Sequence, residues 1–253
     1  MKSSYELANE ARHAFEYDAA VAFANVIDAH AVADLGCGLA HGTVKFMKGT
    51  DVVVVGVDSD QAVLFRARRL YPCSRINLVW SDLEDLRIGR QHFDLVVVSH
   101  TIEHLKDPEA FVLRALEHLR PGGFLYLMTP NARMRLLSGE RPWDPRHLRE
   151  YDDESLHSLL SPHFRTVEIA GVTGSVEVRA LEINRAYRMK RLARIDPLYL
   201  RRFLPHRAIH LLSRPIERWV LASQQDEILP TEYRFRETDN TQTALDLVAI
   251  CRK

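Results

Sequence analysis

The stretch Asp34-Leu35-Gly36-Cys37-Gly38-Leu39-Ala40-His41-Gly42-Thr43 decides the reading of this chain. It follows a short apolar run, AVADL at 31–35, and opens a helix. Glycines at 36 and 38 permit a tight turn in which backbone comes close to a ligand. The next apolar run, VVVVGVD at 52–58, ends on an acid, Asp58, 22 residues after Gly36. A carboxylate there can accept both hydroxyls of a ribose. Loop and acid together predict a nucleoside-containing cofactor at the switch point of a doubly wound sheet.

The pattern around the loop agrees. Further apolar runs follow at INLVW (76–80), FDLVVVS (93–99) and FLYLMT (124–129). They are nearly continuous rather than alternating, as strands buried on both faces of a parallel sheet read. Helices fit between them at Gln61–Leu70 and Pro108–Leu119. The second has Asp107 as N-cap, Pro108 at its first position and Pro121-Gly122-Gly123 to end the element. A helix at 3–29 precedes the first strand, with apolar positions at Phe15, Ala19, Ala22, Phe23 and Val26. A helix at Asp152–Leu160, a strand near 164–170 and a last strand at 244–250 complete an α/β fold.

Composition sets bounds. The 253 residues are 46% hydrophobic and 27% charged, which excludes wholesale disorder, collagen-like repeats and coiled coil. Lys+Arg and Asp+Glu both number 34, so the mean charge argues against a nucleic-acid partner. Cys37, Cys73 and Cys251 are widely spread and form no CxxC pair, which predicts reduced thiols and a cytoplasmic chain. No run of 18 apolar residues suggests a membrane span, and the charged N-terminus does not read as a signal peptide.

Two cofactors compete for the loop. A dinucleotide fingerprint G-x-G-x-x-G needs a third glycine at 41, where this chain has His41. S-adenosylmethionine (SAM) has no pyrophosphate and needs no such glycine. Its ammonium and sulfonium suit an acid, Asp34, just before the loop.

At this point the chain resembles the class I SAM-dependent methyltransferases, and within them the small-molecule branch that acts on ubiquinone precursors and sugars. The resemblance rests on DLGCGLA (34–40), VGVDSD (55–60), SDLEDL (81–86), FDLVVVSHTIEHLKDP (93–108) and LRPGGFLYLMTPN (119–131), in order and at family spacing. A third glycine common in the family is Ala40 here. The resemblance implies a Rossmann-like, mostly parallel seven-stranded sheet with an antiparallel last strand. It divides the chain into an N-terminal helical segment (1–30), a SAM-binding core (31–170), a basic helical insertion or lid (171–243) and the final core strand (244–253). It also implies roles. Asp34 and the backbone of Gly36, Cys37 and Gly38 hold the methionine end, and Asp58 with Ser59 takes the ribose. Asp82 and the Leu83 amide meet the adenine. Ser99 and His100 stand where methyl donor and acceptor meet. Each has a plainer use as well: turn glycines, a helix cap at Asp58, a cap of the turn 83–86 at Asp82, and backbone alone at Ser99.

Methyl transfer from a sulfonium needs alignment first and a base only where the acceptor must lose a proton. His100, His104 and His147 are the candidates for that base, with Tyr151 beside His147 and His41 behind the cofactor loop. If 100–104 were helical, His100 and His104 would share a face with Glu103 between them. No further ligand pattern completes that set, so no metal is expected.

Between the last two strands lie about 70 residues, against ~4–6 for an ordinary connection. Ile183, Ala186, Met189 and Ala193 keep helical spacing, as do Ile209, Leu212, Ile216 and Trp219. Within 185–218, ten basic residues face two acids, and Arg207, Arg214 and Arg218 share a helical face. These arginines suit a phosphate or carboxylate on a small-molecule acceptor, or anionic lipid heads in a peripheral membrane contact. A solvated face or a homodimer contact is the plainer use, and monomer and homodimer both stay open. The reading is a methyltransferase acting on a small molecule, at a hydroxyl of a sugar, a lipid-linked compound or a quinone-like ring. RNA or protein methylation is disfavoured because Ser99-His100-Thr101-Ile102 stands where those enzymes carry an Asn/Asp-Pro-Pro-aromatic sequence. A non-catalytic SAM-fold module and an NAD-dependent reductase complete the alternatives.

Overall fold

The computed structural model describes residues 4–72, 76–88, 92–135, 142, 144, 146–193 and 235–253. Helix α1 (Ser4–Val26) leads into β1 (Ala31–Leu35), α2 (His41–Gly49), β2 (Val53–Asp58), α3 (Gln61–Leu70), β3 (Ile76–Trp80) and β4 (Phe93–Ser99). After a 3-10 turn (Ile102–His104) come α4 (Pro108–His118), β5 (Leu119–Pro130), α5 (Ala132–Arg135), α6 (Asp153–Leu160) and β6 (Thr166–Gly174). Helix α7 (Val176–Ala193), β7 (Phe235–Thr238), a 3-10 turn (Thr241–Thr243) and β8 (Asp246–Arg252) close the chain.

The strands form one sheet in the order β3-β2-β1-β4-β5-β8-β6-β7. The first five run parallel, and β8 inserts antiparallel between β5 and β6, as expected of the last strand. The order reverses between β1 and β4, so a crevice opens at their carboxyl ends. Both faces are buried. Ala33, Leu35, Val96 and Val98 point into one apolar cluster, while Val32, Leu95 and Val97 point into the other. That is why the strands read as continuous apolar runs.

The cap expected at Asp107 is there: it accepts from Ala110 to start α4. At α3 the cap is Asp60, not Asp58, accepting from the amides of Ala62 and Val63, and Asp152 lies just outside α6 and forms a capping box with Ser155. Helix α4 stops at His118, and the Pro121-Gly122-Gly123 sequence lies inside the long β5, whose register against β4 shifts there.

Three expectations change. Among the described residues the sheet has eight strands, where seven were expected. The added strand, Phe235–Thr238, falls in the segment expected to be helical and pairs with the outer edge of β6, which itself runs to Gly174. Its four residues are too few for periodicity to reveal. The buried face of α1 also differs: Ala8, Arg12, Glu16, Ala20 and Ala24 are buried at strict four-residue spacing, whereas Ala22 and Val26 are exposed. Two charges in that stripe made it read as a solvent face. Of the insertion, Ile183, Ala186, Met189 and Ala193 fall in α7. The second helical run, 209–219, and Arg207, Arg214 and Arg218 lie outside the described residues. Among the described residues, no helix is long and apolar enough to cross a membrane.

Candidate active site

The loop after β1 turns by backbone alone. The amides of Gly36 and Cys37 both donate to the Val57 carbonyl, at 2.8 and 2.9 Å, which locks the loop to β2. Gly36 has φ +81°, and a Cβ there would lie 2.1 Å from the Thr101 Oγ1. Gly38 has φ +54° and open space around it. Ala40, the position where the family often has glycine, is also left-handed at φ 62° and starts α2 without a side-chain cap. The Asp58 carboxylate accepts from the Gly38 amide at 2.8 Å and from the Asp60 amide at 2.8 Å. It therefore joins loop to helix, and each oxygen keeps acceptor capacity for a ribose hydroxyl. Ser59 beside it is exposed, and its carbonyl accepts from the Trp80 indole at 3.0 Å.

Asp34 is fully buried under this loop. Its oxygens accept from the Tyr17 hydroxyl at 3.0 Å and the Thr43 hydroxyl at 2.6 Å. Burial pushes its carboxyl up to about 6, against those two hydrogen bonds, which favour the charged form. Asp34 thus ties α1 and α2 to the end of β1. Tyr17 lies so close that a Cβ at Gly42 would sit 2.0 Å from its ring. Tyr17, Thr43 and Gly42 escaped the sequence reading. The packing of Tyr17 on Gly42 has no signal in a single sequence.

Asp82 is exposed and accepts from the Glu84 amide at 2.9 Å, so it does cap its turn, while Leu83 packs into the core. Ser99 is buried at the end of β4, and its hydroxyl has no hydrogen-bond partner. A cavity of about 500 Å³ opens beside it, lined by Gly36, Cys37, Ser99, Tyr17, His13 and Lys45 among others. Burial pushes the Cys37 thiol up, so it lines the cavity as a neutral group. This volume falls within the range of small-molecule sites. The left-handed loop backbone at Gly36 and the Ser99 hydroxyl at the cavity, with the Asp58 carboxylate held across the loop, suit a cofactor such as SAM.

The three candidate histidines gather around Glu103, which is buried. His100 is itself left-handed, at φ 49°. Its Nε2 lies 3.0 Å from Glu16 and its Nδ1 3.7 Å from Glu103. Burial lowers its pKa, but the Glu16 and Glu103 carboxylates overcome this and hold it at about 10. His13 stacks on it with ring centres 4.2 Å apart, and burial with the neighbouring His100 charge pushes His13 down to about 3. At neutral pH His100 is therefore a cation, not the proton acceptor the sequence suggested, and His13 is neutral. Glu16 is held down to about 2: burial opposes this, and His100 outweighs it. Behind them, Arg12 meets Asp246 at 3.0 Å. His104 and His147 meet edge to face with ring centres 4.8 Å apart. Their partners are the Arg146 carbonyl and Glu150, and Glu103 accepts from Thr129 at 3.2 Å. Tyr151 is buried nearby and His41 lines the cofactor cavity.

Comparison with known proteins fits this geometry. A methyltransferase-domain family profile matches residues 33–127. A Mycolicibacterium smegmatis protein named "Probable S-adenosylmethionine-dependent methyltransferase" is 34% identical over 51% of this chain and 49% of its own length. The trans-aconitate 2-methyltransferase of Variovorax paradoxus is 32% identical over 46% of this chain and 47% of its own. The chain thus spans about half the length of the curated relatives it matches. Among solved structures, the cyclase SpnF superposes with a TM-score of 0.56 at 17% identity, covering 93% of this chain and 82% of its own, a likeness of fold alone. Over residues 33–127, from β1 into β5, this chain carries a methyltransferase domain.

Proposed function

We propose that the chain transfers a methyl group from SAM to a small-molecule acceptor, at a hydroxyl of a sugar, a lipid-linked compound or a quinone-like ring. The observation that carries this is the cavity at the carboxyl ends of β1 and β4, where Gly36 and Ser99 converge from neighbouring strands. SAM, when bound, supplies a methyl already activated on sulfur. The protein's work is then alignment, worth about 7–11 kcal/mol in well-oriented systems. In this reading Gly36–Gly38 backbone holds the methionine end and Asp58 the ribose, with Asp82 and the Leu83 amide at the adenine. His100 presents a fixed positive charge beside the acceptor. The stretch 185–218 favours an acceptor bearing phosphate or carboxylate, and changing Arg207, Arg214 and Arg218 to Ala should then raise its KM.

Calorimetry with SAM and S-adenosylhomocysteine, with NAD as control, tests the cofactor site. Micromolar binding lost in Asp58→Ala, with no NAD signal, is the expected result. Absence of binding by either sulfur nucleoside overturns the reading.

A further inference from the structure

The outer face of α3 is not part of the cavity lining. Gln61–Leu70 carries Arg66, Arg68 and Arg69 and no acid. Leu64 and Ala67 turn inward and are buried with Leu78 of β3. At about 100° per residue, that turns Phe65, Arg66 and Arg69 outward together, with Leu70 on one flank and Arg68 on the other. Phe65 is 60% exposed and Leu70 54%. Trp80, two residues after Leu78 and so on the same face of β3, is 57% exposed. Its indole donates to the Ser59 carbonyl just before α3, which holds the ring beside the start of the helix.

Single exposed apolar residues are ordinary. Here three of them interleave with arginines along one helix and the sheet edge beside it. The Arg69 guanidinium lies 5.9 Å from the centre of the Phe65 ring. The acids at the margin are turned to backbone: Asp60 to the amides of Ala62 and Val63, and Asp82, beyond Trp80, to the amide of Glu84. Arg68 donates to the Leu78 carbonyl at 2.6 Å, so the edge strand presents a guanidinium there rather than a bare ladder group for a pairing strand. The chemistry complementary to this face is a layer of anionic groups over an apolar interior. Arginines reach phosphates, while Trp, Phe and Leu enter the boundary beneath them.

We propose that the outer face of α3, with Trp80, docks the chain peripherally on an anionic lipid surface. The contact needs neither cofactor nor acceptor, so it goes beyond the proposed activity. It is also separate from Arg207, Arg214 and Arg218, the arginines that the sequence offers to lipid heads.

Co-sedimentation of the full chain with vesicles of phosphatidylcholine and phosphatidylglycerol in a two-to-one ratio tests it, with pure phosphatidylcholine vesicles as control. Binding to the anionic vesicles alone, lost toward about 0.5 M salt, is expected. Arg66→Glu combined with Arg69→Glu should weaken it about tenfold or more, and Phe65→Ser combined with Leu70→Ser severalfold. Arg114→Glu, at an exposed arginine of α4, should leave it unchanged. No sedimentation of the wild type, or binding that survives both double variants, overturns the proposal. Binding lost only when Arg207, Arg214 and Arg218 are changed to Ala overturns it as well. A dimer in light scattering that Phe65→Ser with Leu70→Ser dissociates assigns the face to a second copy and also overturns it. Thermal unfolding and S-adenosylhomocysteine calorimetry on the same samples read the fold and the cofactor site separately, so each reading falls on its own result.

Discussion

The two halves of the crevice are built by opposite means. The half proposed for the cofactor comes from one short stretch, Asp34 to Asp58, and is shaped by backbone: three left-handed residues, two amides on one carbonyl, and one carboxylate across the loop. The half proposed for the acceptor draws on His13, Glu16, His100, Glu103, His147 and Asp246, which span nearly the whole chain, and is shaped by buried charge. A site made of backbone tolerates side-chain change but not a change of φ. A site made of converging charges tolerates backbone drift but not the loss of one partner.

The largest effect that would break this contrast is expected at Gly36→Ala. It combines a left-handed φ, about 1–2 kcal/mol, with a clash against Thr101 of about 1–3 kcal/mol. Urea unfolding should show the loss and calorimetry should show no cofactor binding. A variant within 0.5 kcal/mol, on the order of an ordinary surface change, would show that the loop is not backbone-determined.

Next is Tyr17→Phe, which leaves one oxygen of buried Asp34 without its donor. The cost should be about 1–3 kcal/mol, as for any buried unsatisfied group, and the Asp34 pKa should rise further from about 6. Carbon-detected NMR titration of the carboxyl checks the direction.

His100 sharpens the charge side. Its folded pKa, about 10, lies above its ordinary 6.5, so the folded state holds the proton longer than the unfolded chain. Its contribution is complete below pH 6.5 and is lost as pH rises through 10. His100→Asn, which tolerates the left-handed backbone, should be less stable at pH 6.5 yet show a flatter decline toward pH 10. Parallel urea curves for the two proteins at both pH values would contradict the assigned charge.

The smallest effect is Ala40→Gly. Relief of a left-handed alanine, about 1–2 kcal/mol, outweighs the added chain entropy of glycine, about 0.5–1 kcal/mol. A gain of about 0.5–1 kcal/mol is expected, read as a higher urea midpoint with cofactor affinity unchanged.

Legibility in the sequence followed the same division. The five parallel strands, the cap at Asp107 and the positive-φ loop were readable because each depends on neighbours in sequence. Helix α1 was readable as a helix but not in its buried face, because Arg12 and Glu16 become interior residues only once Asp246 and His100 arrive beside them. His104 and His147 were each singled out, but nothing 43 residues apart in sequence says that their rings touch.

By itself, then, the sequence determined the doubly wound sheet, its switch point and the cofactor loop, because apolar runs, caps and glycines act through local sterics and hydrogen bonds. Only the tertiary structure decided the eighth strand, the charge state of His100 and the gathering of Glu103, His104 and His147. Those depend on burial and on partners brought together by the closing of the sheet, and neither is encoded at any one place along the chain.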